Sequence, residues 1–218
     1  MPLKAAIIPV TPFQQNCSLV WDDETMKGAL VDPGGDLDRL EAALQETGVE
    51  LEKILLTHGH LDHAAAAGKL AADHSVPIEG PHEDDRFLIE GLPDQSEKYG
   101  LPVFPGFAPN RWLRQGDTVS VGGLTFDVIH CPGHTPGHVV FYHAPSKLAI
   151  VGDVLFQGSI GRTDLPRGNF QDLIDSITQR LWPLGGDVSF IPGHGPMSTF
   201  KRERQMNPFV SDLALSMS

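Results

Sequence analysis

The sequence predicts an α/β protein built in layers. Short apolar runs rich in β-branched residues recur along the chain, and amphipathic segments typical of helices alternate with them in both halves. Glycine, proline, asparagine and aspartate separate most of these segments, as expected for turns. Hydrophobic residues make up 40% and charged residues 20% of the 218 residues, which is the composition of a chain that can form an ordered core.

Strands and helices are both predicted in the N-terminal half. Alternating or β-rich runs predict strands at residues 3–10, 17–21, 28–31 and 53–56, and a short strand or turn at 77–80. A helix is predicted from Asp36, as its cap, to about Thr47, where Gly48 ends it. A second helix is predicted over residues 62–74.

The C-terminal half repeats the alternation. A hairpin is predicted over residues 118–130, around Gly122 and Gly123, followed by strands at 139–142, 148–151 and 188–191. Helices are predicted at 169–182, with Asn169 or Gly168 near its cap, and at about 199–206. Residues 90–110 are rich in proline and glycine and predict a long surface loop, either a lid or an insertion without a role.

Charge and composition exclude several classes of partner. The formal net charge is −12, which disfavours binding to nucleic acid or to an anionic membrane surface. The sequence has neither a run of about 18 apolar residues nor the features of a signal peptide at its start. Its two cysteines are too few for a disulfide framework, so we expect a cytoplasmic location. Oligomeric state is not predictable from these features.

The most informative segment is residues 57–63, Thr-His-Gly-His-Leu-Asp-His. Four side chains that can bind a transition metal fall within it: His58, His60, Asp62 and His63. An apolar run precedes the segment and an alanine-rich run follows it. We therefore expect the cluster at a turn from a strand to a helix.

Three further candidate ligands also follow strand-like runs. His134 comes after the strand predicted to end near residue 130, Asp153 after 148–151, and His194 after 188–191. If these strands end at one edge of the sheet system, all seven side chains meet there. Each residue alone is weak evidence, but together they predict a metal site.

These motifs resemble those of the metallo-β-lactamase superfamily. The matching segments are His-Gly-His-Leu-Asp-His, Pro-Gly-His-Thr-Pro-Gly-His, Gly-Asp and Pro-Gly-His-Gly, in that order. Gly-Arg-Thr-Asp at 161–164 and the segment 203–209 place the chain nearer to the short, single-domain glyoxalase II-like hydrolases. The resemblance implies an αββα four-layer sandwich.

The resemblance also implies a two-metal site. His58, His60 and His134 would hold the first ion, Asp62, His63 and His194 would hold the second, and Asp153 would bridge the two. Zinc is the first expectation, with iron or manganese as alternatives, because all the donors are nitrogen or oxygen.

The implied activity is thioester hydrolysis. S-lactoylglutathione would be cleaved to D-lactate and glutathione by attack of metal-bound hydroxide, and Asp62 would orient or deprotonate the water. The main alternative is a persulfide dioxygenase that uses one iron, held by His58, His134 and Asp153. Hydrolysis of lactones or other esters is a further alternative, and ribonuclease, β-lactamase and non-catalytic binding roles fit less well.

Other residues have less specific predicted roles. Related hydrolases carry a C-terminal helical domain that binds glutathione, whereas residues 195–218 follow His194, so Lys201, Arg202 and Arg204 of the tail are candidates to replace part of its contacts. Arg162 is predicted either to bind a substrate carboxylate or simply to form a salt bridge. Asp32 is predicted to anchor the metal loops or simply to form a turn, and His138 to orient a ligand or pack. Cys131 is interpreted as an apolar filler rather than a thiolate ligand. We expect one domain, residues 1–218, with a helical tail from about residue 199.

Overall fold

The computed structural model describes residues 2–216, and its longer strands form two sheets. The first sheet has five strands in the order β1-β2-β3-β4-β5, with β1 to β3 antiparallel and β3 to β5 parallel. Its strands are β1 (Leu3–Val10), β2 (Gln15–Asp22), β3 (Lys27–Val31), β4 (Glu50–Leu55) and β5 (Ile78–Glu79).

The second sheet has six strands in the order β13-β12-β9-β8-β7-β6. They are β6 (Thr118–Val121), β7 (Leu124–His130), β8 (Val139–His143), β9 (Leu148–Gly152), β12 (Ser189–Pro192) and β13 (Ser198–Thr199). Strands β10 (Leu155–Phe156) and β11 (Ser159–Ile160) form a separate small hairpin. Strand β8 is antiparallel to both β7 and β9, and β9 is parallel to β12. Strands β7, β9 and β12 therefore run in the same direction.

Eight α-helices connect or flank the strands within the described part of the chain. They are α1 (Leu37–Thr47), α2 (Leu61–Ala64), α3 (Ala67–His74), α4 (Arg86–Glu90), α5 (Leu92–Tyr99), α6 (Phe170–Asp175), α7 (Phe200–Met206) and α8 (Asp212–Ser216). A π-helix, Ser176–Leu181, continues α6. Between residues 2 and 216, none of the helices combines the length and apolar character needed to cross a membrane.

Three buried apolar clusters define the layers. The central cluster joins the inner faces of the two sheets and includes Val31 and Leu55 from the first sheet and Phe126 and Phe141 from the second. A second cluster packs helices, including Leu40 of α1, on the outer face of the first sheet. The third packs α6 and α7 on the outer face of the second sheet. These layers confirm the predicted αββα sandwich.

The helix predicted over residues 62–74 is interrupted. It divides into α2 and α3 because the backbone N–H of Ala66 donates to the carbonyl of Pro33, 3.2 Å away, rather than to a carbonyl of its own helix. This bond ties the start of α3 to the turn at residues 32–35. The ligand-rich segment therefore lies between strand β4 and this hydrogen bond at Ala66.

The prediction of a continuous loop at residues 90–110 was wrong. Residues Leu92–Tyr99 form helix α5, with Pro93 in its first turn and Gly100 in the left-handed conformation at its end. Proline is compatible with the first turn of a helix and glycine with its C-terminal cap, so residues that looked like loop markers instead bound a helix.

Helix ends show both a confirmed cap and a corrected one. The Asn169 side chain accepts a hydrogen bond from the N–H of Asp172 at 3.1 Å, as predicted for the start of α6. Asp36 precedes α1 with a left-handed backbone, and its carboxylate makes no hydrogen bond to the first turn of the helix. The carboxylate instead accepts a hydrogen bond from the N–H of Thr11 at 2.8 Å.

The predicted C-terminal helical tail contains α7 and α8. Phe200 and Val210 are buried in the apolar cluster on the second sheet, so this segment packs against the rest of the chain. Residues 217–218 of the predicted tail lie outside the described residues. The single-domain organisation stays a prediction.

Candidate metal centre

The seven predicted ligands meet at one edge of the two sheets. They follow the C-terminal ends of β4, β7, β9 and β12, and three of these strands point the same way in the second sheet. Backbone hydrogen bonds join loops that carry ligands to strands of the other sheet: the N–H of Val139 in β8 donates to the carbonyl of Thr57 at 2.8 Å, and that of Asn16 in β2 to the carbonyl of Gly193 at 2.7 Å.

Among the described residues, four groups of three side chains have the spacing of metal ligands, and two of them are made up of predicted ligands alone. Donor atoms of His58, His60 and His134 lie within 4.8 Å of one another, and so do donor atoms of Asp62, His63 and His194. These are the two sets that the family resemblance implies, although their role as ligands stays a proposal.

Hydrogen bonds to groups outside the ligand set orient four of the five histidines, while His60 Nδ1 lies 2.9 Å from His134 Nε2 within the set. His134 Nδ1 lies 2.8 Å from the carbonyl of Arg162, and His194 Nδ1 lies 3.2 Å from the carbonyl of Phe13. Because a carbonyl can only accept, each Nδ1 carries a proton, and in the neutral ring Nε2 then has the lone pair that a metal ion needs. Ligating histidines usually have this second contact.

His58 and His63 are oriented through one carboxylate. His63 Nδ1 donates to Asp32 Oδ2 at 2.9 Å. The Thr57 hydroxyl donates to the same oxygen at 2.5 Å and is therefore free to accept from His58 Nδ1, 3.0 Å away. Asp32 also accepts the backbone N–H of Thr57 at 2.7 Å. These hydrogen bonds join Asp32 to the loop that carries His58 and His63.

Asp153 lies between the two groups of ligands. Its Oδ1 is 3.4 Å from His63 Nε2, and its Oδ2 is 3.6 Å from both His134 Nε2 and His194 Nε2. A carboxylate has two oxygens, so this side chain can serve two ions at once.

Unpartnered buried atoms support the fit of metal ions. His58 Nε2, His63 Nε2 and Asp153 Oδ1 are buried and make no hydrogen bond within the protein. Buried polar atoms are rarely left without partners, so these three atoms indicate groups that a bound ion would satisfy. Imidazole nitrogens and carboxylate oxygens directed to one point form a donor set suited to divalent transition metals.

The electrostatics of the site favour a bound cation. Burial opposes charge on His63, yet the carboxylates of Asp153, Asp62 and Asp32 raise its pKa to about 10. Burial also disfavours charge on Asp62, but His63 and His194 hold the pKa of its carboxyl well below the ordinary value. Burial and the neighbouring histidines lower the pKa of His58, which therefore stays neutral and able to coordinate.

His138 supports two of the proposed ligands. Its Nε2 accepts the backbone N–H of Asp153 at 3.1 Å, and its ring stacks on His58 with centroids 4.7 Å apart. The side chain is fully buried. These contacts fit the predicted role of orienting and packing, and not direct ligation.

Gly193 is required by the close approach of two ligands. A Cβ atom at this position would lie 2.1 Å from Asp153 Oδ1 and 2.7 Å from His63 Cε1. Any other residue would push one of these side chains away, so the glycine before His194 has a packing role.

Asp85 is an important residue that the sequence did not indicate. It is fully buried, and Oδ2 accepts the N–H of Gly59 at 2.9 Å and the hydroxyl of Thr135 at 2.8 Å, while Oδ1 accepts the N–H of Gly137 at 2.6 Å. It thereby fastens the His58–His63 loop to the loop that carries His134. Burial raises the pKa of its carboxyl to about 6.

A cavity of about 820 Å³ opens over the candidate ligands. Five ligands reach its surface: His60, Asp62, His134, Asp153 and His194. Much of the remaining lining is apolar, with side chains such as Phe13, Phe87, Phe156 and Ile160. A mostly apolar cleft with a few polar groups at one point is typical of a site for a small molecule.

Only one of the predicted substrate contacts reaches this cavity. Arg162 lines it, with its guanidinium bound to both oxygens of Asp164 at 2.7 Å. Lys201 and Arg204 are not among the lining residues, and Arg204 pairs instead with Asp212 at 3.1 Å. The tail that carries them packs on the outer face of the second sheet. Lys98 of α5, which was not predicted, does line the cavity.

The remaining histidines make hydrogen bonds or ring contacts. His74 pairs with Glu41 at 2.8 Å, and His143 bonds the Ser146 hydroxyl at 2.5 Å. The rings of His82 and His130 stack with centroids 4.4 Å apart.

Both cysteines are expected to resist thiol reagents in the native protein. Cys17 and Cys131 are fully buried in apolar clusters, and burial raises the pKa of the Cys131 thiol to about 12. The reactive thiolate is therefore scarce at pH 8. Labelling with a disulfide reagent should be negligible in native protein and reach two thiols per chain after denaturation. Rapid labelling of the native protein would contradict this prediction, and would reopen the thiolate-ligand interpretation of Cys131.

Comparison with known proteins agrees with this geometry. A family model of the metallo-beta-lactamase superfamily matches residues 10–194, the region that holds every candidate ligand. A hydroxyacylglutathione hydrolase, GloC, from Haemophilus influenzae is 50% identical over 206 residues, which cover 94% of this chain and 97% of that protein.

Two solved structures share the whole fold. The B3 metallo-beta-lactamase BLEG-1 has a TM-score of 0.87 and 34% identity, with 95% of this chain and 99% of that chain covered. TTHA1623, solved in a di-iron-bound form, has a TM-score of 0.85 and 37% identity, with 94% and 100% covered. The ordered motifs, the double-sheet architecture and the match over most of its length agree, and the chain belongs to the metallo-beta-lactamase superfamily.

Proposed function

We propose that this protein is a metal-dependent thioester hydrolase acting on S-(2-hydroxyacyl)glutathiones, with S-lactoylglutathione as the model substrate. One observation carries the hydrolase proposal: two complete sets of three donors meet at the Asp153 carboxylate, in the wall of a cavity large enough for a small molecule. The relative from Haemophilus influenzae supports the choice of substrate, since it is named for this activity and is half identical to the chain.

The length of that relative bears on how the substrate is held. The alignment covers 97% of it, so it has no large additional domain beyond the part that matches this chain. In a protein of that length, glutathione recognition comes from the metallo-β-lactamase fold itself. The region that this chain shares with the relative is therefore compatible with the proposed substrate.

The proposed centre holds two divalent ions. His58, His60 and His134 would hold one, the donors Asp62, His63 and His194 the other, and Asp153 would contact both. When bound, such ions lower the pKa of water toward neutrality and polarise a carbonyl group. Zinc, iron and manganese all suit these donors, and the di-iron form of TTHA1623 supports iron as one alternative to zinc.

The protein's own side chains would position the reactants. Asp62 is held ionised beside His194 Nε2, 3.2 Å away, and lies at the cavity surface, where it can accept a hydrogen bond from the attacking water. Phe87, Phe156 and Ile160 form apolar walls that exclude other water from the thioester. The leaving thiolate needs no acid from the protein, because a thiol has a pKa of about 8.5.

The geometry favours hydrolysis over the single-iron oxygenase. That alternative uses only His58, His134 and Asp153, and leaves Asp62, His63 and His194 without a purpose. His63 is fully buried with an unpartnered Nε2, and Asp32 fixes its orientation, so a second ion explains a feature that one iron does not.

Purified protein loaded with zinc, iron or manganese should hydrolyse S-lactoylglutathione, releasing lactate and free thiol. Elemental analysis should find two ions per chain, and a chelator should remove both the metal and the activity. The same preparations would be tested on a lactone, a β-lactam and glutathione persulfide. One iron per chain with oxygen uptake, or turnover of a lactone or β-lactam without turnover of thioester, would overturn the proposed function.

A further inference from the structure

Helix α5 gives the cavity charged groups that the metal centre does not use. Asp94, Gln95, Lys98 and Tyr99 of this helix all line the cavity. Asp94 and Lys98 are four residues apart, so they lie on the same face of the helix. Arg162, on another loop, also lines the cavity. We call these three residues, Asp94, Lys98 and Arg162, the charged rim.

The charged rim lies close to the metal centre. The ring of Tyr99, the last residue of α5, packs edge-on against Phe13 with centroids 6.0 Å apart. Phe13 in turn accepts the Nδ1 proton of His194 through its carbonyl. On the other side, the carbonyl of Arg162 accepts the Nδ1 proton of His134. A molecule bound between α5 and the Arg162 loop would thus extend from the ligands to the rim.

Two of the three rim charges are uncommitted within residues 2–216. Arg162 is paired with Asp164, but Lys98 and Asp94 form no ion pair, although they are neighbours on the helix. The Lys98 ammonium lies 5.7 Å from the ring of Tyr99, a contact that leaves its charge available. Both side chains are exposed, so they can meet a ligand without losing an existing partner.

A glutathione thioester has the complementary charges. Away from its acyl group it carries two carboxylates and one ammonium at neutral pH, on a chain long enough to leave the metal centre. Apart from the candidate ligands, Lys98 and Arg162 are the cationic residues lining the cavity and Asp94 the anionic one. Specificity in such a site comes from charges placed to match the partner.

From this arrangement, and resting on the proposed function, we infer that helix α5 recognises the glutathione part of the substrate. Lys98 pairs with a glutathione carboxylate and Asp94 with the ammonium group. This assigns to α5 the role that the sequence suggested for Lys201 and Arg204.

The test compares two substrates with the same acyl group. S-lactoylglutathione carries the carboxylates and ammonium, whereas S-lactoyl-N-acetylcysteamine lacks them. The measured quantity is the ratio of kcat/KM for the first substrate to that for the second. Lys98→Ala should lower this ratio about fivefold, the upper range for one exposed ion pair, and Lys98→Glu should lower it more than about tenfold because it adds repulsion. Asp94→Asn should also lower it.

Lys201→Ala is the matched control, since it removes an exposed lysine that does not line the cavity. It should leave the ratio at the wild-type value. The preference of wild type for the glutathione thioester should also weaken as salt is raised, because exposed ion pairs are screened. An unchanged ratio in Lys98→Glu, or a loss in Lys201→Ala equal to that in Lys98→Ala, would overturn the inference.

Binding of S-methylglutathione, measured by calorimetry, separates this inference from the proposed function. Wild type should bind this thioether more tightly than Lys98→Glu, whether or not a thioester is hydrolysed. If wild type hydrolyses the truncated thioester but binds S-methylglutathione no better than Lys98→Glu does, the inference fails and the hydrolase stands. If no thioester is hydrolysed, the proposed function fails, and the binding difference alone decides the inference.

Discussion

Replacing Asp153 with asparagine should lower kcat/KM for thioester hydrolysis by at least about 10³-fold, because binding and polarisation by the metals are worth several kcal/mol and each 1.4 kcal/mol is a factor of ten. Asp153 faces both groups of ligands, with oxygens 3.4–3.6 Å from the Nε2 atoms of three histidines. An amide keeps the shape but loses the charge. Its NH₂ group would also donate to a histidine lone pair that should bind metal.

The measurements are metal content, thermal stability and turnover of the same preparation. Asp153→Asn should bind less metal than wild type while keeping the far-ultraviolet circular dichroism of the native fold. Asp187→Asn is a suitable control, because Asp187 is an exposed aspartate that pairs with Lys147 away from the cavity. Full metal content and wild-type turnover in Asp153→Asn would contradict the proposed bridging role.

The candidate ligands were predictable from the sequence because the chemistry is local. His58, His60, Asp62 and His63 fall in one short segment, and His134, Asp153 and His194 each follow a strand-like run. A strand has one C-terminal end, and strands that run the same way in a sheet place these ends at one edge. The pattern of apolar runs followed by donors therefore carries three-dimensional information.

The support around the ligands was harder to predict, because it depends on contacts between distant segments. Asp85 lies in a short polar run, Glu83-Asp84-Asp85, that resembles an exposed turn. Only in the folded chain do Gly59, Thr135 and Gly137 converge on its carboxylate. No spacing rule in the sequence connects residue 85 with residues 59 and 137.

Helix α5 shows a second limit of local patterns. Proline fits a helix in its first turn, and glycine fits the C-terminal cap, which are the positions of Pro93 and Gly100. The sequence does not reveal that the residues between them form a single helix. Because residues 90–110 are predicted to form a loop, the sequence does not indicate Lys98 as a contact to substrate. It indicates the basic residues of the tail instead. In the structure, Leu92 and Ser96 are buried on the inner face of α5, and this packing stabilises the helix.

Asp85→Asn should lower the free energy of unfolding by about 2 kcal/mol, the cost of leaving a buried donor without an acceptor. Whichever way the amide is turned, its NH₂ group faces at least one of the N–H and O–H donors that the carboxylate now accepts. Metal affinity should fall roughly 10- to 100-fold, as when contacts that orient ligands are lost. Denaturant titration and metal titration measure the two effects.

Asp84→Asn provides the control, because Asp84 is adjacent but exposed and should change stability by less than about 0.5 kcal/mol. The difference in stability between wild type and Asp85→Asn should also depend on pH. Burial raises the pKa of Asp85 from 3.8 to about 6, so the folded state binds a proton more readily than the unfolded state in that interval. Wild type therefore loses stability from this group as pH rises from about 4 to 6, whereas the asparagine variant does not. In chelator-treated protein, the difference in unfolding free energy between wild type and Asp85→Asn should therefore become smaller as pH rises over this range. A difference that becomes larger would show that the three hydrogen bonds lower the pKa of Asp85 more than burial raises it.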